Sequence, residues 1–169
     1  MTTPEFSRPV AVEGLVRKDL FVEADPDERA ALARRFAIVA VDRLEAEVCL
    51  ERQGGGQMIR LSGRLRADVV QICVVSLEPV AGHLEEDFEM TFAHERQPEA
   101  ADVVVDLDDP DPPDPIEDGR VDIGEAVAEQ LALILDPFPR APGARFENDG
   151  REAIDEPSAF AALAAWNKK

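Results

Sequence analysis

Four side chains of this chain have the chemistry to hold a soft metal or to act as nucleophile and base: Cys49, Cys73, His83 and His94. A structural zinc site takes four thiolate or imidazole ligands, usually as closely spaced pairs, and none of these four residues forms such a pair with another. No metal site is therefore expected, and Cys73, flanked by Ile72 and Val74, reads as a small buried hydrophobe. No serine sits in a Gly-x-Ser-x-Gly elbow, and neither histidine has a neighbouring Asp or Ser pattern that would orient it as a base. Gly54-Gly55-Gly56 lacks the Lys-Ser/Thr that completes a phosphate-cradling loop. Glu125 and Glu129 stand one helical turn apart, as a carboxylate pair or as a solvated helix face. No catalytic or cofactor-binding residue is assigned, and neither an enzyme activity nor a small-molecule substrate is expected.

Charge offers more. Arg60, Arg64 and Arg66 share parity along one segment, with Arg52 close by across a turn, so one face of a sheet would carry guanidinium groups able to bridge RNA phosphates. The alternative is cross-strand pairing with Glu45, Glu47 and Glu51. The aromatic platforms on which single-stranded RNA stacks are missing from that face, and the chain has no tyrosine. Net charge is −18, unevenly spread: residues 1–97 hold 12 Lys/Arg and 18 Asp/Glu (−6), residues 98–169 hold 6 and 18 (−12). Such a field repels free RNA at long range and favours a basic protein partner. Residues 98–118 alone hold nine acidic and no basic residues. They read as a solvated connector or as a mimic of a nucleic-acid backbone. At the far end Phe160, Leu163 and Trp166 form a short amphipathic stretch that either docks on the domain or folds onto a partner.

The elements that position these residues follow from patterning. Asp25-Pro26-Asp27-Glu28 supplies an N-cap, a first-turn proline and a capping-box glutamate, so a helix should run from there to about Phe36 with Leu32 and Phe36 inward. Leu44, Ala46, Val48 and Leu50 alternate with Glu45, Glu47, Cys49 and Glu51, as a half-buried strand requires. After the glycine turn a second strand carries Ile59, Leu61 and Leu65 on one face and the arginines on the other, and Val69 to Val75 continues it or bends it at a bulge. Leu84, Phe88, Met90 and Phe92 mark a third, in which Glu86 breaks the inward set. Ala101 to Leu107 favours a short strand before the proline-rich run. Asp122 then caps a helix, with Glu125 in the box position and Ile123, Val127, Leu131 and Ile134 inward, and Asp136-Pro137 ends it.

These elements predict one α+β domain over residues 1–143, with residues 98–118 as an acidic, proline-rich loop inside it and residues 144–169 as an irregular tail. The sheet should be antiparallel, of five or six strands, open or curled toward a barrel, with one helix before it and one after. The longest apolar runs fall well short of the roughly 20 residues needed to span a bilayer, so no membrane partner is expected. Two cysteines and a start without a basic or apolar leader point to a reduced, cytoplasmic setting.

Two stretches carry a resemblance. Cys73-Val74-Val75-Ser76-Leu77-Glu78-Pro79, and Val121-Asp122-Ile123-Gly124-Glu125-Ala126-Val127-Ala128-Glu129-Gln130-Leu131 closed by Asp136-Pro137, resemble the YceD-like family, which is linked to accumulation of large-subunit ribosomal RNA in bacteria and plastids. The family pattern is Cys-x-x-Cys, then Leu-Glu/Asp-Pro, a long gap, and an Asp-Leu/Ile-Gly helix that contains Glu-Gln and ends in a proline-rich turn. Cys73, Leu77, Glu78, Pro79, Asp122, Gly124, Glu129, Gln130 and Pro137 match it. Ser76 stands at the second cysteine, and Pro139-Arg140-Ala141-Pro142-Gly143 stands where many relatives carry a cysteine cluster. If those relatives bind zinc there, hydrophobic packing must replace the cross-link in this chain. The resemblance implies a non-catalytic factor supporting synthesis, processing or accumulation of large-subunit ribosomal RNA, with RNA contacted directly or through a protein.

Overall fold

Three strands of fourteen or fifteen residues carry the fold: β3 (Ala40–Gln53), β4 (Met58–Ile72) and β5 (Pro79–Ala93). They belong to a computed structural model that describes residues 4–53, 58–94 and 112–145. Ahead of them come β1 (Pro9–Ala11), β2 (Arg17–Glu23) and α1 (Pro26–Arg35), and after them β6 (Asp114–Pro115), β7 (Arg120–Asp122) and α2 (Ile123–Ile134). The main sheet has the order β2-β3-β4-β5-β6, antiparallel except for the short parallel β5–β6 contact, and β1 pairs separately with β7. The α+β class is as expected, with two helices and a five-stranded sheet. The sheet is not closed into a barrel, because β2 and the long free edge of β5 never meet; β6 covers β5 only at Phe92 and Ala93.

Period-two patterning decides which face is buried. Leu44, Ala46, Val48 and Leu50 of β3, Ile59, Leu61, Leu65 and Ala67 of β4, and Phe88 and Phe92 of β5 turn inward and are all buried. Glu86 has the inward parity yet remains exposed, since β5 is an edge at that point. Leu32 and Ala33 of α1 and Ile123, Val127 and Leu131 of α2 join the same core. Gly63 is the residue without a side chain in the inward row of β4. A Cβ there would lie 2.6 Å from the Glu47 carbonyl oxygen and 2.7 Å from Val48 Cγ1, so a side chain would push β3 and β4 apart.

The first helix starts as its sequence demands. Asp25 Oδ1 accepts from the N–H groups of Asp27 and Glu28 at 2.9 Å each, and Glu28 Oε2 accepts from the Asp25 N–H at 2.8 Å. Its end is less obvious: Ala37 takes a positive φ of 54°, and the Ala37 and Ile38 N–H groups donate to the carbonyls of Arg34 and Ala33. That is a Schellman closure without glycine. β2 precedes α1, so the helix lies within the sheet's sequence order instead of before it. β4 runs to Ile72 without a bulge; the register shift falls in β3, between Val41 and Arg43. Residues 73–78 are a turn and not strand, because the strand pairing stops at Ile72↔Pro79. The triglycine turn and the strand expected at 101–107 lie outside the described residues.

The second helix is tied to the N-terminal segment by one carboxylate. Asp122 Oδ1 accepts from the N–H groups of Gly124 (3.0 Å), Glu125 (3.2 Å) and Arg8 (2.7 Å), while Oδ2 accepts from the Ser7 hydroxyl at 2.5 Å. Gly124 makes room for this crossing: a Cβ would meet the Phe6 carbonyl oxygen at 2.5 Å. Glu125 does not complete a capping box. It takes a bidentate pair from Arg35 of α1, at 2.7 and 2.9 Å. Gly124→Ala should cost about 1–3 kcal/mol through overpacking, and Asp122→Ala about 1–2 kcal/mol through the lost cap alone. Urea unfolding monitored by circular dichroism measures both, and a neutral Gly124→Ala would mean that Phe6–Arg8 does not pack there in solution.

Candidate functional site

The outward face of the sheet gathers most of its charge. Strand register places Glu47, Arg64 and Asp87 in one row and Glu45, Arg66 and Glu85 in the next, with Glu51 opposite Arg60. Arg64 donates to both oxygens of Asp87 at 2.6 and 2.7 Å and approaches Glu85 at 3.6 Å. Arg66 donates to Glu85 at 3.1 Å and lies 3.5 Å from Glu47 and 3.8 Å from Glu45. Arg60 donates to Glu51 at 2.9 Å, with Glu89 at 3.9 Å. The fork of Arg64 holds the Asp87 carboxyl below its usual range. The expected pairing with Glu45, Glu47 and Glu51 is present, joined by a second acidic row from β5 that strand register alone brings into reach. Arg52 departs from expectation: it turns to the other side and donates to the carbonyl oxygens of Leu15, at 2.7 Å, and Val12.

A shallow groove of about 860 Å³ crosses this face, bordered by Asp19, Phe21, Glu47, Ser62, Asp87 and Glu89. Phe21 is 58% exposed beside it. His83 on β5 meets Asp68 on β4 at 2.6 Å, a pair separated by fifteen residues and visible only once the register is known. Among the described residues no group of three or more His, Cys, Asp or Glu side chains is placed to hold a metal ion.

The second cluster surrounds Cys73. Its sulfur is buried and accepts from the backbone N–H groups of Ser76 and Ala141, both at 3.3 Å, and Val75 at 3.4 Å. Two backbone bonds close the turn, Cys73 N–H to the Glu78 carbonyl (2.8 Å) and Leu77 N–H to the Cys73 carbonyl (3.0 Å), with Leu77 at φ 61°. Another joins the turn to the proline-rich segment, Val74 N–H to the Pro139 carbonyl at 2.9 Å. Gln71 adds a side-chain bond to the Asp136 carbonyl. The thiol is held well below its ordinary range, at about 6, first by the Ala141 N–H and then by the Ser76 hydroxyl and N–H; burial opposes them, and the Val75 N–H adds the smallest part. Cys73 is thus buried, as expected, but as a hydrogen-bond acceptor. Hydrophobic packing is not what joins the two segments, since Val74 and Leu77 are 45% and 74% exposed.

The two halves of the motif therefore occupy different places. Asp122 and Gly124 hold the N-terminal crossing, while Cys73, Leu77, Glu78 and Pro79 form the turn that receives Pro139 and Ala141. Pro137 follows Asp136, whose side chain accepts from the Phe138 N–H at 2.8 Å. Glu129 is exposed and Gln130 half-buried on α2. Partial desolvation by the neighbouring protein, then the charges of Glu125 and Asp114, push the Glu129 carboxyl upward. Phe160, Leu163, Trp166 and most of the acidic stretch lie outside the described residues.

The model of the family described as Large ribosomal RNA subunit accumulation protein YceD matches residues 61–165, which is 105 of the 169 residues. This chain belongs to that family. A role in the accumulation of large-subunit ribosomal RNA comes with the family's name, as does its place in ribosome biogenesis. No curated protein and no solved structure matches the chain. The YceD match starts within β4 and takes in the Cys73 turn, β5 and α2, leaving β2, α1 and β3 outside it.

The Cys73 turn has a pH signature. A thiol whose folded pKa is lowered from 9.0 to about 6 stabilises the fold fully above the unfolded value and loses that contribution as pH falls through the folded one. The stability gap between the native chain and Cys73→Ala should therefore widen as pH rises across that interval. Denaturant titrations at both ends measure it, and a constant gap would show that the sulfur does not ionise in the fold.

Proposed function

We propose that the protein supports large-subunit ribosomal RNA accumulation as a non-catalytic, cytoplasmic docking factor. It binds a basic ribosomal protein or assembly factor through its acidic C-terminal half, residues 98–169, with the main α+β body at 1–143 and the tail at 144–169. The observation that carries this reading is the sign of the surface. On the outward face three arginines, Arg60, Arg64 and Arg66, stand among six carboxylates from β3 and β5: Glu45, Glu47, Glu51, Glu85, Asp87 and Glu89. The C-terminal half adds −12. A basic partner gains from such a field in both encounter rate and specificity.

Direct RNA contact at Arg60, Arg64 and Arg66 is the second reading, supported by their common face. A phosphate would there have to replace a carboxylate already bonded to each guanidinium, and nearby acids would repel it. The protein partner is favoured for that reason.

Tagged protein captured from growing cells should bring down a ribosomal protein or precursor particles. Changing the nine carboxylates of residues 98–118 to amides should weaken that capture most at low salt, because screening shortens such fields to about 8 Å at physiological ionic strength. Arg64→Glu should leave capture intact. Depletion should selectively reduce large-subunit particles on sucrose gradients, and unchanged gradients would remove the proposal. Binding of pure protein to ribosomal RNA precursor that falls steeply with salt and is lost in Arg64→Glu would establish the RNA reading instead.

A further inference from the structure

Exposed apolar side chains gather at one end of this molecule. Of nine large hydrophobic residues left exposed among the described ones, six belong to the Cys73 end: Val39, Ile72, Val74, Leu77, Leu133 and Phe138. Backbone bonds bring their segments together, Val39 to Val70 and Val74 to Pro139, and Gln71 ties the end of β4 to Asp136. Single exposed hydrophobes are ordinary, but a contiguous group marks a contact site.

Leu77 sharpens the point. It is 74% exposed and holds a φ of 61°. A left-handed backbone is unfavourable for a residue such as leucine, whose Cβ crowds the carbonyl oxygen, and glycine, asparagine or aspartate would take the position more easily. Local stability is therefore not what a leucine serves here. An apolar residue held out on a strained turn, and fixed by bonds on both sides, is a contact residue awaiting its cover.

We infer that the cover is the chain's own C-terminal segment, Phe160–Trp166, which seats Phe160, Leu163 and Trp166 on Val74, Leu77 and Phe138. Geometry points to this occupant. The described chain ends at Arg145, four residues past Ala141, whose N–H bonds the Cys73 sulfur. From Arg145 to Phe160 is 15 residues, a length whose typical unconstrained span is about 20 Å. The patch at the near end lies within that span; Met58 lies at the other end of β4, roughly 50 Å away along 15 strand residues. Tethering at such range raises the effective concentration of the segment on the patch to the millimolar level, ~1 mM or more. Charge agrees as well, since Lys168 and Lys169 follow the apolar residues while Glu78 and Asp136 are exposed beside the patch. The family match also extends through residue 165, and so takes in Phe160 and Leu163.

The inference stands apart from the ribosomal reading, and its test uses purified full-length protein alone. Trp166 is the only tryptophan and the chain has no tyrosine, so intrinsic emission reports on this one indole. The native chain should emit at the short wavelength of a buried indole and resist acrylamide quenching. Leu77→Asp and Phe138→Asp should each shift emission toward that of hydrated indole and expose it to quencher, with the circular dichroism spectrum unchanged. Phe21→Asp, at an exposed residue on the outward face, should do neither. Hydrated emission in the native chain, shielding that survives Leu77→Asp combined with Phe138→Asp, or an equal shift in Phe21→Asp would overturn the inference. Shielding that disappears on dilution would also overturn it, by assigning the patch to the tail of a second copy.

Discussion

One carboxylate holds this fold's two ends together. Asp122 caps α2, receives the Ser7 hydroxyl and Arg8 N–H, and so fixes the N-terminal segment across the helix start. Everything near it inherits that constraint. Arg8, once placed, forms a bidentate pair with Glu28 at 2.6 and 2.9 Å, and Glu28 is the residue that closes the capping box of α1. Arg35 from the last turn of α1 reaches Glu125 in the first turn of α2, and Glu5 beside it. Two helices that share few side chains directly are thereby indexed to each other through residues 5–8. Gly124 is the steric condition for the arrangement, because the Phe6 carbonyl occupies the space a side chain would need.

Across the sheet the charges obey a different logic. Exposed ion pairs contribute little stability each, as solvent screens them and long side chains lose freedom in making them. Together they set the sign of the field over that face. By alternating acid, base and acid across β3, β4 and β5, the outward face consumes its guanidinium groups internally and leaves an excess of carboxylate facing solvent. A partner carrying phosphate finds no unengaged cation in that row, while a basic partner finds carboxylates beyond those the arginines need.

Much of this was legible from residue patterning, and the misses have physical causes. The Asp25 cap, the strands around Leu44–Leu50, Ile59–Leu65 and Leu84–Phe92, and the Asp122 helix all follow from period and capping. β2 was missed because Lys18, Leu20 and Val22 alternate over too few residues, and Phe21 points its ring toward solvent. The end of α1 carries no glycine signal, since Ala37 takes the left-handed position itself. The second acidic row against Arg64 and Arg66 needed the β4–β5 register, which couples residues about twenty apart. Arg52 was misplaced through parity: two residues past Leu50, it shares Leu50's side of β3 and not that of Glu51.

At the Cys73 turn a sulfur and the backbone N–H groups around it join two distant segments. The sulfur is a large, polarisable acceptor placed where three N–H groups converge, and one of them comes from Ala141, sixty-eight residues away. A purely apolar side chain at this position would leave those donors unpaired in a buried setting, which costs more than the bonds themselves contribute. With the interior of the turn given to sulfur and amides, Val74 and Leu77 have nowhere to turn but outward. The same bonds that stiffen the turn therefore hold its apolar side chains in position at the surface. A contact site built in this way is preorganised, and its occupant forfeits little of its binding energy to ordering the receiving surface.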